Sequence, residues 1–184
     1  MELGKSRIAT VYGVGKIGKR VYEDLEANGL TVQAVDIREN ELKQLPEYKD
    51  CRFTDRDTAI ANSDILINVM NLTKDKNSRF YNEGYFDEKY LLKAKKPLIF
   101  INVTRGEIAP EATLLKLYRA GKIIGIAADV FSQESELTDY LRANDFTGCR
   151  NENILAAKEI IDEALSRKSN FYVQPHQGFN SDIA

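Results

Sequence analysis

The sequence predicts an α/β fold: a doubly wound, mostly parallel sheet with helices on both faces. Three observations lead there. Short apolar runs alternate with amphipathic stretches along the chain, the pattern of parallel strands joined by crossover helices. The first run leads directly into a glycine-rich turn, GVGKIG at 13–18. Finally, the 184 residues contain no repeat, low-complexity tract or linker and suit one domain by length. Residues 1–184 are therefore read as one unit, with a helical insertion around 133–168.

Each element has its own reason. RIATVYG (7–13) is continuous, β-branched and apolar, as a strand covered on both faces must be. KIGKRVYEDLEAN (16–28) puts Ile17, Val21 and Leu25 on one helical stripe, and Gly29 stops it. TVQAVD (31–36) is the second strand and CRF (51–53) a short third. DRDTAIANS (55–63) reads as a short helix and DILINVM (64–70) as a strand. From 71 to 96 the chain is charged and aromatic-rich, expected as loop and short helices. PLIFINV (97–103) is a strand. APEATLLKLYRAG (109–121) is a helix with Pro110 in its first turn and Gly121 as its cap. KIIGIAADV (122–130) is a strand, NENILAAKEIIDEALSR (151–167) an amphipathic helix, and NFYVQP (170–175) a last strand.

Composition excludes several functions. Basic and acidic residues number 26 and 28, for a net charge of −2. That balance gives no electrostatic footprint for nucleic acid and no polybasic patch for an anionic membrane. No apolar run approaches a membrane span, and the opening MELGKSRIATVYG lacks a signal-peptide core. Cys51 and Cys149 form no CxxC and no metal cluster with the single histidine, His176. They read as free thiols in a reducing compartment, so the expected location is cytoplasmic.

The glycine turn carries chemistry. GxGxxG alone is weak, but here a strand precedes it, a helix opens inside it, and an acid ends the next strand. Gly13 permits the tight turn, Gly15 lets backbone approach a pyrophosphate, and Gly18 lets the helix pack on the sheet. The helix N-terminus offers N–H groups and positive dipole to the phosphates. Asp36 can accept hydrogen bonds from an adenosine ribose diol, which favours NAD over NADP. Arg38, close by, softens that preference. The fold is thus Rossmann-type and the expected cofactor NAD.

Ligands of such sheets bind off the carboxyl ends of the strands. Thr104, Arg105 and Gly106 follow PLIFINV, Asp129 ends KIIGIAAD with Glu134 shortly after, and His176 follows NFYVQP. An arginine, two acids and the only histidine therefore share the edge that carries the glycine turn.

INVTRGEIAPEATLLKLYRAGKIIGIAADVFSQE followed by QPHQG resembles the NAD-binding domain of the D-isomer-specific 2-hydroxyacid dehydrogenases. The resemblance runs from ELGK at 2–5 through GVGKIGK and DILINVMNLT to the end, with several motifs in order. It implies that Arg105 binds the carboxylate of a 2-keto or 2-hydroxy acid with its planar fork. It implies that His176 exchanges a proton with the keto or hydroxyl oxygen, paired with Glu134 in a way that favours imidazolium. Asp129 would hold the nicotinamide carboxamide, and the cofactor would carry the hydride. By the same resemblance Lys16, Ile17, Ile37, Asn71, Thr73, Thr104 and Gly178 join the cofactor site.

The chain departs from the family at two places. Val69 and Asn71 stand where the family has a His and a Pro. Ser135 replaces the Pro that follows the acid, and Gln133 next to Glu134 would give a His–Gln pair after a one-residue slip. The interval from Glu134 to His176 is long and holds the 151–167 helix, a candidate dimer contact. The resemblance implies that family members carry a second, substrate domain, which these 184 residues are not expected to supply. The expectation is a cofactor domain of a homodimeric dehydrogenase that binds NAD(H) but turns over 2-keto acids poorly alone. The alternative is an NAD(H)-sensing or corepressor-like module on the same fold. YxxxK spacings at Tyr118/Lys122 and Tyr85/Lys89 mimic another dehydrogenase class, but the first straddles Gly121 and the glycine turn lacks that class's spacing.

Overall fold

A computed structural model describes residues 7–167, 169–174 and 176. Six strands form one all-parallel sheet in the order β2-β1-β3-β4-β5-β6. The strands are β1 (Ile8–Tyr12), β2 (Thr31–Val35), β3 (Ile65–Asn68), β4 (Leu98–Asn102), β5 (Ile123–Ala128) and β6 (Phe171–Val173). Each expected strand lost a residue or two at its ends, where backbone pairing stops before the apolar run does.

Between the strands run α1 (Lys16–Ala27), α2 (Glu39–Leu42), α3 (Arg56–Asn62), α4 (Glu88–Leu91), α5 (Glu111–Arg119), α6 (Glu134–Ala143) and α7 (Glu152–Ser166). The helix α1 ends at Asn28, and Gly29 follows with φ +83°, the left-handed turn glycine adopts without cost. Asp55 caps α3 by accepting from the Asp57 and Thr58 N–H groups, and Asn151 caps α7 in the same way.

Period-2 alternation splits the sheet between two cores. On one face Tyr12, Leu66, Phe100 and Ile126 pack with Ile60 of α3, Leu114 of α5 and Ile160 of α7. On the other, Val11, Val32 and Ile67 pack with Tyr22 of α1. Among the described residues that second face is bare over β5 and β6, where Ile124 is 46% and Tyr172 61% exposed.

One expectation is corrected. CRF at 51–53 is not a strand: only Phe53 forms a single parallel bridge, to Ala34. The Phe53 N–H turns back to the Cys51 carbonyl, which ends the extended run. The span expected as a helical insertion holds two helices, α6 and α7, with a small core of Leu137, Ile154 and Ala157.

Candidate functional site

The site begins with backbone. Gly13 leaves β1 at φ +85°, and a Cβ there would lie 2.9 Å from Met70. A Cβ on Gly18 would come 1.9 Å from the Gly13 carbonyl oxygen, so α1 rests directly on the turn that precedes it. A Cβ on Gly15 would meet nothing within 4 Å except the Arg38 guanidinium at 3.7 Å, so this glycine faces open space. The first turn of α1 has no side-chain cap and no acidic residue. Its N–H groups are left for an anion, with Lys16 and Ile17 exposed beside them. The turn therefore fits the pyrophosphate of a dinucleotide.

Beside the turn opens a cleft of about 350 Å³. One wall is Gly13, Gly15, Asp36, Ile37 and Arg38; the other is Val69, Met70, Asn71 and Thr73, continued by Arg79, Phe80, Tyr81 and Asn82. Asp36 is held from behind. Its Oδ2 accepts from the Val14 N–H at 2.8 Å and its Oδ1 from the Arg38 N–H at 2.8 Å. Asn82 is buried and staples the facing wall: it donates to the Asn71 carbonyl and accepts from the Thr73 N–H, both at 2.8 Å.

Tyr85 also lines the cleft. Burial pushes its phenol up to about 12. It belongs to an aromatic block in which Tyr12 meets Phe86 edge-on at 4.9 Å and shares a 2.8 Å hydroxyl contact with Tyr90. The Arg56 guanidinium lies over Tyr90 at 4.1 Å and over Tyr85 at 4.3 Å.

At the other end of the strand edge, His176 and Glu134 meet. The imidazole Nδ1 lies 2.8 Å from Glu134 Oε2, with both side chains about one-third exposed. An ionised carboxylate only accepts, so Nδ1 carries the proton in this bond. Glu134 opens α6, and its Oε1 accepts from the Phe131 N–H at 3.1 Å. Gln133 is not the partner: it adopts a left-handed φ of +52° and accepts from the Asn151 side-chain amide. The His176 N–H donates to the Asp129 carbonyl at 2.9 Å, which joins β5 to the histidine loop.

A family model for the D-isomer-specific 2-hydroxyacid dehydrogenase NAD-binding domain matches residues 2–178. This chain belongs to that family. The family's cofactor is NAD. One relative, a 2-hydroxyacid dehydrogenase homolog of Schizosaccharomyces pombe, is 30% identical over 91% of this chain and 45% of its own length. Among solved structures, an NAD-complexed D-isomer-specific 2-hydroxyacid dehydrogenase of Lactobacillus delbrueckii ssp. bulgaricus is 28% identical with a TM-score of 0.71. It is covered over 47% of its length, by 95% of this chain. The D-lactate dehydrogenase of Aquifex aeolicus, solved with NAD and lactic acid, is 26% identical with a TM-score of 0.74, covering 98% of this chain and 50% of that one. The chain thus spans about half the length of these relatives. Their names give no support to the sensor or corepressor alternative.

Within this dehydrogenase-type domain the residues singled out from sequence fall into two groups along one edge. Gly13, Gly15, Asp36, Ile37, Asn71 and Thr73 line the cleft. Thr104, Arg105, Asp129, Glu134 and His176 follow the neighbouring strands β4, β5 and β6. Thr104 accepts from the Asn68 side-chain amide at 3.0 Å. Arg105 is exposed and donates to the Thr104 carbonyl at 2.7 Å, rather than to the Glu134–His176 pair. Gly178 lies outside the described residues.

Sequence reasoning passed over several supports. Asn68 and Asn102 pair in register at the ends of β3 and β4 and share a 2.9 Å side-chain bond. A polar residue closing each of two apolar strands was the available signal. Glu111 is almost fully buried, and its Oε1 accepts from the Ser132 N–H at 2.6 Å. Burial pushes its carboxyl above the usual range. Nothing in the local pattern separates Glu111 from an ordinary first-turn acid.

Proposed function

We propose that the chain is the cofactor half of an NAD-dependent oxidoreductase that interconverts D-2-hydroxy acids and 2-keto acids. The observation that carries this reading is the 2.8 Å pair between His176 Nδ1 and Glu134 Oε2 on the strand edge that also presents the glycine turn. NAD, when bound, supplies the hydride acceptor or donor. His176, its Nδ1 fixed by Glu134, gives or takes the substrate proton at Nε2. Arg105, exposed on the same edge, receives the substrate carboxylate. Asp129 and Thr104 would orient the nicotinamide end, Gly15, Lys16, Ile17 and Gly18 the pyrophosphate, and Asp36, Ile37, Asn71 and Thr73 the adenosine.

Residues 1–184 act in this reading as one cofactor-binding unit, with 133–168 as a helical insertion that positions Glu134. We also infer a homodimer in the cytoplasm. The exposed Leu155 and Leu165 on α7 support the first, and the free cysteines Cys51 and Cys149 support the second. A nucleic-acid or membrane partner has no support in the charge balance, and no helix among the described residues is long and apolar enough to cross a membrane.

Calorimetric titration of this chain with NADH tests the reading. Saturable 1:1 binding is expected, with little reduction of pyruvate, glyoxylate or hydroxypyruvate by the chain alone. Absence of NADH binding sinks the reading; rapid turnover by the chain alone removes the claim that it is half a catalyst.

A further inference from the structure

We propose that Asn68 and Asn102 are positioning residues that link the cofactor cleft to Arg105, so that a nucleotide filling the cleft adjusts the turn on which the arginine meets its carboxylate. This rests on the reading of the cleft as a dinucleotide site and of Arg105 as the carboxylate ligand. The two asparagines close β3 and β4 as register partners. Alternation puts them on the same sheet face as Leu66 and Phe100 of the larger core. They are 0% and 3% exposed. A side-chain amide buried this far keeps its place only with its hydrogen bonds made, and here they are made to each other and to the loops on either side.

The contacts run in one line from cleft to arginine. Met70 stands where the glycine turn meets the facing wall: it lines the cleft, and a Cβ on Gly13 would come 2.9 Å from its backbone. The Met70 N–H donates to Asn68 Oδ1 at 3.1 Å. Asn68 Nδ2 donates to Asn102 Oδ1 at 2.9 Å and to the Thr104 hydroxyl at 3.0 Å, which uses both of its hydrogens. Asn102 Nδ2 donates to the Arg105 carbonyl at 3.0 Å, and its Oδ1 also accepts from the Thr104 N–H at 3.4 Å. The Arg105 side chain is tied to the same turn, since it donates to the Thr104 carbonyl at 2.7 Å. Asn68 is planar and hydrogen-bonded at both ends of its amide, so a rotation that follows Met70 redirects both donors at once. Thr104 and Asn102 must follow, because no water reaches Asn68 to take their place. A displacement of the cleft wall is thereby carried through packed, hydrogen-bonded groups to the arginine turn.

The test is amide NMR of the intact chain titrated with ADP, which carries adenosine and pyrophosphate but no nicotinamide. Amides of Asp36, Asn71 and Thr73 report filling of the cleft. Those of Thr104, Arg105 and Gly106 should shift along the same saturation curve, while α7 stays still. Asn68→Asp keeps the size and the acceptor for Met70 but removes both donors. Asn102→Asp keeps the acceptor for Asn68 but removes the donor to Arg105. Each should cut the ADP-induced shift at Arg105 and Gly106 by at least half while changing the ADP dissociation constant less than threefold. Residues that merely held the strand ends together would leave that shift in place. Thermal melts check that both variants remain folded. Wild-type shifts confined to the cleft residues overturn the proposal without any variant. So do folded variants that transmit the shift as the wild type does, and both results leave the cofactor reading intact. If ADP moves none of Asp36, Asn71 and Thr73, the cofactor reading falls and this proposal with it.

Discussion

Replacing Glu111 by Ala and by Gln should have very different consequences, and the difference follows from burial. Glu111 is 3% exposed and its Oε1 accepts from the Ser132 N–H at 2.6 Å, while Oε2 and the Ser132 hydroxyl are both buried without a hydrogen-bond partner. Alanine removes the acceptor and leaves a buried N–H unpaired. Loss of the hydrogen bond is worth about 0.5–1.5 kcal/mol and the orphaned donor about 1–3 kcal/mol more, so the total is roughly 2–4 kcal/mol. For a chain of this size that corresponds to a fall in Tm of roughly 5–15 °C. Glutamine keeps the acceptor and can donate its amide to the Ser132 hydroxyl, so at neutral pH it should cost little or nothing.

The pH dependence supplies the second arm. Burial raises the Glu111 carboxyl from its ordinary value of 4.5. Below that value the folded and unfolded chains both hold the proton and burial carries no ionisation penalty. As pH rises through it, the unfolded chain loses the proton first, and the folded form is penalised by about 1.4 kcal/mol per pH unit until its own raised value is passed. The stability of Glu111→Gln relative to wild type should therefore grow from mildly acidic pH upward and then level off. Thermal or urea melts of all three proteins across pH 4–8 measure it. Equal melting of the Ala and Gln variants, or a wild-type–Gln gap that does not move with pH, would refute the argument.

Three further outcomes are expected. Gly18→Ala places a methyl group 1.9 Å from the Gly13 oxygen, so it should cost about 2–3 kcal/mol as an overpacked contact and abolish NADH binding in calorimetry; a variant that binds normally would show that the turn can move. Asn151→Ala removes the α7 cap and the donor to Gln133; a loss of about 1 kcal/mol should come with faster amide exchange at 131–137, and unchanged exchange there would separate the cap from the Glu134 turn. Tyr90→Phe deletes the hydroxyl that meets Tyr12 at 2.8 Å and donates to the Arg56 carbonyl at 2.6 Å, so chemical denaturation should register about 1–2 kcal/mol; a neutral result would mean that buried Tyr12 finds another partner.

The parts of the fold that were legible from sequence are those with a local cause. The helix α1 follows from a glycine turn, a periodic stripe and Gly29; α5 and α7 follow from stripes and caps. Glu134 rather than Gln133 as the histidine's partner was favoured by spacing, and the left-handed Gln133, bonded to Asn151, gives the physical reason. What escaped was set by distant residues. CRF looked extended, yet a single bridge to Ala34 is all it finds. The stretch from 71 to 96 has no period because its task is to wall a cleft. Arg79, Phe80 and Tyr81 stay exposed there, while Asn82 is buried to staple Asn71 and Thr73. Such roles depend on which strand ends the topology brings together, information absent from any window of sequence.

The geometry of the acid–base pair can be traced to one short segment, the exit of β5. The strand β6, which leads to His176, is three residues long and, among the described residues, pairs only with β5. His176 itself adopts a left-handed φ of +52°, a conformation that persists only when its surroundings hold it. Those surroundings are the Ala128 and Asp129 carbonyls, which accept from the Gln174 and His176 N–H groups at 2.9 Å each. Glu134 is oriented from the same place, since its Oε1 accepts from the Phe131 N–H. Ser132, between them, is held by Glu111 of α5. Histidine and carboxylate therefore hang from the two ends of one run, 128–134, and share its displacements. A shift of that run would move both partners together and preserve their 2.8 Å contact, while changing where the pair stands relative to Arg105, which follows β4. Perturbations at Glu111 or Ser132 should accordingly act on placement of the pair before they act on its integrity.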